Sequence, residues 1–213
     1  MIPIGNRGTT VLELIIAATL FSGIVAGGYT LLGSGVDAYD QGGTAVEVER
    51  HADRLLQLVV AEISQAGRDV TYPRAMPPNS SHTLTLQRCT GYTAGAKVWS
   101  TPTTLEFRHL PDELDDGKDN NGNGLIDEGM LVRVDDAGGP NERVTALGSY
   151  VREYMEGEEK NGTDDNGNGL IDEPGVSFDV VGDVWTVRIT IERRDGNGRL
   201  ITHTAQTSIK VRN

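Results

Sequence analysis

Two short runs of oxygen-bearing side chains are the part of this sequence best suited to chemistry. Residues 116–128 read DGKDNNGNGLIDE, and 45 positions further on residues 161–173 read NGTDDNGNGLIDE. Within them Asp119, Asn121 and Asn123, then Asp164, Asn166 and Asn168, put an oxygen side chain at every second position. Gly124 and Gly169 follow where a sharp turn is needed to close the oxygens around a centre. Leu125 and Leu170 would add backbone carbonyls, and Asp127 and Asp172 further carboxylates. A donor set of oxygens alone, without His or Cys, suits a hard cation and disfavours zinc or copper. The expected cofactor is Ca2+, structural, at two sites.

Each copy has the Asp-x-Asn-x-Asn-Gly start of an EF-hand-type calcium loop. The departure is at position twelve, where Met130 and Gly175 stand in place of a bidentate Glu. Glu128 and Glu173, at position ten, are the nearest replacements, while Glu113 and Glu158 keep the same 45-residue register and are placed to fold back. Ile126 and Ile171 are expected to plug each loop into the domain. The competing reading is a pair of solvated Asn-Gly turns. Repetition argues against it: DNNGNGLIDE and DDNGNGLIDE differ only at Asn120 and Asp165, and hydrophilic turns do not require such agreement. Loops this polar bury too little to offset their ordering entropy, so metal is expected to hold them.

A third chemical feature is Glu13, at the entrance of an apolar, uncharged stretch from Leu14 to Leu32. That stretch is long enough to cross a bilayer as a helix, and a carboxylate beside it needs a partner. Three readings compete: a secretory signal with Val25-Ala26-Gly27 as cleavage site, a buried core helix, and a membrane anchor. The acid next to the apolar region and the lone basic Arg7 ahead of it count against the first. Catalytic constellations are lacking. His51, His82, His109 and His203 are scattered without metal spacing, His203 on the inner face of a strand, and no nucleophile stands with a base. A net charge of −12 excludes nucleic acid as a partner, since basic patches supply that affinity. Cys89, the lone cysteine, cannot make an internal disulfide and is expected to be buried.

The elements that must position these residues follow from periodicity. Ala52, Leu55, Leu56, Val59, Ile63 and Ala66 form one apolar stripe, with Glu49, Arg50, Asp53, Arg54 and Glu62 on other faces and Gly67 as a stop. Gly23, Gly27, Gly28, Gly42 and Gly43 weaken the middle of that helix, as a loosened linker or as a segment that melts. Beyond residue 80 the period becomes two: Leu84 and Leu86, Leu105 and Phe107, then Trp185, Val187, Ile189 and Ile191. Asp195-Gly196-Asn197-Gly198 turns the chain into Ile201, His203, Ala205, Thr207, Ile209 and Val211, a hairpin whose apolar face the striped helix can cover. The fold class is α+β: a long N-terminal helix, membrane-spanning in its first half, packed on antiparallel β-sheet with calcium-type loops.

The N-terminus resembles the type IV pilin-like superfamily. Arg7-Gly8 matches the end of a short leader, Thr9 would be the first mature residue, and Glu13 then falls at the fifth position, ahead of the apolar helix. Thr9 departs from the usual Phe or Met, a looseness found among minor members. The order of parts is similar to the J-type minor pseudopilins of type II secretion and related large minor pilins, including a closing Lys210-Val211-Arg212-Asn213. The resemblance implies a leader over 1–8, a membrane and filament-core helix over 9–34, its amphipathic continuation over 35–69, and a periplasmic globular domain over 70–213. It also implies a prepilin peptidase cutting after Gly8, N-methylation of Thr9, and Glu13 pairing with a neighbouring subunit's terminal amine. The partners would be other pilin subunits and the inner-membrane assembly platform, and the role non-enzymatic: a minor pilin or pseudopilin that initiates or caps a filament. The alternatives are a surface adhesin or sensing tip and a membrane-anchored, calcium-dependent hydrolase.

Overall fold

The computed structural model describes residues 10–211. The expected processing residues Gly8 and Thr9, and the Arg212-Asn213 tail, lie outside them. The chain divides into two compact units, residues 1–42 and 43–213, parted at the Gly42-Gly43 pair.

One helix, α1 (Val11–Ser64), begins in the first unit and ends in the second. It is opened by a capping box. The Thr10 N–H donates to Glu13 Oε2 at 2.9 Å, and the Glu13 N–H donates to Thr10 Oγ1 at 3.3 Å. In the first unit its apolar side chains, among them Leu12, Leu14, Phe21, Ile24 and Leu31, are exposed. The helix is long and apolar enough there to cross a membrane. The flagged glycines are all helical.

The second unit is α+β. Val48, Ala52, Leu55, Leu56, Val59 and Ile63, spaced by threes and fours, are the buried face of α1. They share one core with the sheet, where Trp185 and Phe178 are fully buried. The helix stops earlier than expected, at Ser64. The Gln65 and Ala66 N–H groups bond three residues back, to Glu62 and Ile63, tightening the last turn. Ala66 is buried but outside the helix, bridged to Arg88. Gly67 serves close approach: a Cβ there would lie 2.2 Å from the Trp99 ring. Glu62, outside the apolar stripe, pairs with Arg88 and, at 3.1 Å, with Arg133.

Among the described residues nine strands follow: β1 (Thr83–Leu86), β2 (Cys89–Thr93), β3 (Ala96–Trp99), β4 (Thr103–His109), β5 (Gly129–Asp135), β6 (Arg143–Val151), β7 (Val176–Val181), β8 (Val184–Arg194) and β9 (Leu200–Lys210). β2 and β3 form a separate hairpin, and Cys89 on it is exposed, not buried. The main sheet is antiparallel, in the order β1-β4-β5-β6-β8-β7, with β9 also on β8. The late hairpin pairs Val184–Arg194 with Leu200–Lys210 in unbroken register, and its Trp185, Val187, Ile189 and Ile191 are buried. His203, expected on the inner face, is half-buried opposite Ile191. β7 was not foreseen because five of its six residues are buried, so no alternation marks it.

Candidate functional site

The duplicated loops are the same structure built twice. Loop 1 joins β4 to β5, and loop 2 joins β6 to β7. At the mouth of each, the Leu110 N–H donates to the Glu128 carbonyl and the Met155 N–H to that of Glu173, residues 45 apart in both pairs. The Glu113 and Glu158 N–H groups then donate to Leu110 and Met155. His109 faces Gly129 in the ladder, and Tyr154 is bridged to Pro174, the equivalent pair. Beyond that bridge the copies diverge. β4 and β5 stay paired, whereas the Thr190 backbone of β8 enters between Arg152 and Gly175.

Inside each loop the first Asp is a backbone acceptor. Asp119 receives the N–H groups of Gly122, Asn123 and Gly124 at 2.6–3.2 Å; Asp164 receives those of Gly167, Asn168 and Gly169 at 2.8–3.1 Å. The Asn oxygens cap the next step: Asn121 accepts from Asn123 and Asn123 from Leu125, as Asn166 does from Asn168 and Asn168 from Leu170. Gly124 and Gly169 have φ of 89° and 90°, the left-handed region that a side chain disfavours.

The ninth position does something sequence reading did not foresee. Asp127 accepts from the Asp116 and Gly117 N–H groups, and Asp172 from those of Asn161 and Gly162, so each carboxylate closes the neck of its loop. The plugs also differ from expectation. Leu125 and Leu170 are buried, whereas Ile126 and Ile171 are 55% and 37% exposed. With position seven anchoring the loop, the next residue points outward.

The position-ten acids are the chemical centre. Glu128 and Glu173 are 1% and 0% exposed, and Glu113 and Glu158 are 4% and 2% exposed. Asn121 and Asn123 donate their amides to Glu128 Oε1 at 2.8 and 2.5 Å; Asn166, at 2.9 Å, and Asn168 do so to Glu173 Oε1. Glu113 folds back to the Asn120 and Asn121 N–H groups, and Glu158 to that of Asn166. The second oxygens of Glu128, Glu158 and Glu173 are buried without a hydrogen-bond partner. None of these four acids joins an ion pair among the described residues. Burial raises the pKa of Glu158, the Asn166 N–H opposes this, and the Glu173 charge adds to it. Position twelve falls inside a strand in the first loop and one residue before a strand, at a close backbone approach, in the second. Met130 is in β5, and a Cβ on Gly175 would lie 1.8 Å from the Arg152 carbonyl oxygen.

The buried Glu113, Glu128, Glu158 and Glu173, three of them with an oxygen unsatisfied and none in an ion pair among the described residues, are of a kind that suits a hard cation. Loop 1 is further held by Arg194, whose Nε donates to the Gly124 carbonyl, and loop 2 by the Ile171 N–H, which donates to Pro78 at 2.9 Å.

The histidines are less scattered in space than in sequence. His82 and His109 line one cavity of about 480 Å³ with Asp115, Glu153, Tyr154, Lys160 and Asp172. No spacing rule finds this group, because it is assembled from the mouths of both loops. Comparison of the chain with protein-family models, curated proteins and solved structures gives no match.

Proposed function

We propose that this chain is a type IV pilin-like subunit of the minor pilin or pseudopilin kind, anchored in the inner membrane by the first half of α1 and then built into a pilus or pseudopilus. The observation that carries this reading is the exposed apolar stretch of α1 with a single carboxylate at its head. Such a surface needs lipid or other apolar helices around it, and Glu13 needs a positive partner once water is gone. The loops supply the second part of the proposal. Asp119, Asn121, Asn123, Leu125, Asp127 and Glu128, with Glu113, would hold one Ca2+; Asp164, Asn166, Asn168, Leu170, Asp172 and Glu173, with Glu158, would hold another. Calcium would supply the positive charge these buried carboxylates lack, making each loop a rigid corner between strands. Ca2+ is abundant outside the cytoplasm, so the domain would stiffen where the filament is built.

Glu13 has a local role as well, in the capping box with Thr10, and the two roles are separable. Gln at the third helical position also completes a capping box, but it carries no charge. Glu13→Gln and Glu13→Val should both insert into the membrane and both enter filaments poorly, read by co-purification with the other pilin subunits. Normal incorporation of Glu13→Gln, with Glu13→Val defective, would leave Glu13 as a helix cap and remove its pairing role.

A further inference from the structure

We propose that His109, Asp115 and Glu153 form a third metal site, for a transition-type divalent cation such as Zn2+, at the mouths of the oxygen-rich loops and with a ligand set separate from theirs. One ligand atom from each of the three lies within 4.8 Å of the others. His109 ends β4 and is held in the ladder opposite Gly129. Glu153 follows β6, its carbonyl fixed by the Gly175 N–H at 2.7 Å. Asp115 comes from loop 1 and is exposed, so it is the ligand free to move. Zinc bonds of about 2.0–2.2 Å place tetrahedral ligands roughly 3.3 Å apart, so a closing movement of up to about 1.5 Å brings the three atoms together.

The second observation is independent of the acids. His109 Nε2 is buried and has no hydrogen-bond partner. An imidazole nitrogen taken from water without compensation is costly, and a metal ion or a proton shared with a carboxylate relieves that cost. Burial and the nearby Asp115 charge raise the pKa of Glu153, while His109 opposes this. The donor set differs from the loops in kind. One imidazole with two carboxylates suits Zn2+, Mn2+ or Fe2+, and oxygen alone suits Ca2+. Three protein ligands leave positions open, and the adjoining cavity of about 480 Å³ has room for water or a further donor.

The duplication makes this site single. The residues 45 positions on from His109 and Asp115 are Tyr154 and Lys160, and the one 45 before Glu153 is Arg108, none of which repeats the ligand set. Tyr154 and Lys160 instead face the cluster from the second copy. Lys160 hydrogen-bonds with Tyr154, and its charge acts on both Asp115 and Glu153. Lys160 thus puts a positive charge beside the cluster that opposes a metal ion, and its removal should tighten binding.

The test uses the full chain in detergent micelles with millimolar calcium present, repeated without calcium so that the outcome does not depend on the loops. Zn2+ is titrated by calorimetry and Co2+ by its visible absorption bands. One equivalent should bind, weakened about tenfold or more by His109→Gln and by Glu153→Gln, and strengthened by Lys160→Met. Absence of stoichiometric binding by the unmodified chain, or affinity unchanged in both His109→Gln and Glu153→Gln, would overturn the proposal.

Discussion

A buried carboxylate with one oxygen unsatisfied is unfavourable unless a cation stands beside it, and Glu128, Glu158 and Glu173 all carry that cost. Asp119 and Asp164 differ from them in holding the loop backbone together through three N–H bonds each. Asp119→Ala and Asp164→Ala should therefore each remove part of any calcium-dependent stabilisation, and the double variant nearly all of it, as read by thermal unfolding with calcium and with chelator. Glu173→Gln, which keeps the length of the side chain, should weaken the calcium response while leaving the midpoint in chelator no lower, because the buried oxygen it replaces has no hydrogen-bond partner. At Gly175 the argument is steric. A Cβ 1.8 Å from the Arg152 carbonyl has no soft neighbour to displace, so Gly175→Ala should cost about 3 kcal/mol or more in denaturant unfolding. The two like loops were legible because Asp-x-Asn-x-Asn-Gly states a tight, oxygen-rich turn in side-chain types. The neck-closing role of Asp127 and Asp172 was not, since it depends on left-handed backbone at φ of 50° and 47°. The Thr10 to Glu13 capping box was written in the sequence as Thr-x-x-Glu, but the membrane reading of Glu13 drew attention away from it.

Among the elements, the striped half of α1 and the late hairpin were readable for one reason: each has one buried and one wetter face. Leu55, at the centre of the stripe, is buried in the shared core. Leu55→Ala should destabilise the domain by about 2–5 kcal/mol, measured by denaturant unfolding. Leu58, exposed on the same helix, should tolerate Ala with a change of about 0.5 kcal/mol or less. β2, β3 and β6 were not marked by any alternation read from the sequence, and neither were β5 and β7. β5 begins one residue after Glu128, where the metal-loop pattern masks it, and β7 is buried on both faces. Asp179 in β7 shows why composition misleads there: it is buried because Arg188 on the neighbouring strand pairs with it. The His109, Asp115 and Glu153 cluster was invisible for a different reason. Its members belong to β4, loop 1 and the segment after β6, and only the meeting of two loop mouths brings them together.

For the whole molecule, two properties have to be reconciled: an exposed apolar helix in the first unit and a strongly acidic domain in the second. Most of the chain's net charge of −12 falls in the second unit, where like charges work against compaction, and bound calcium would relieve part of that repulsion. Two sites at a hundredfold excess over Kd would contribute about 5 kcal/mol, or on the order of 10–20 °C in midpoint for a domain of this size. Magnesium should do less, because its small octahedral shell is poorly served by flexible Asn-rich loops.

Handling of the chain as a pilin-like subunit is read most directly by the intact mass of the protein extracted from the membrane. The prediction is a chain that begins at Thr9, shortened by residues 1–8 and carrying one added methyl group on its terminal amine, with Gly8→Val accumulating at full length. A mature terminus near Gly27, or an unprocessed chain beginning at Met1 in cells that hold a prepilin peptidase, would contradict it.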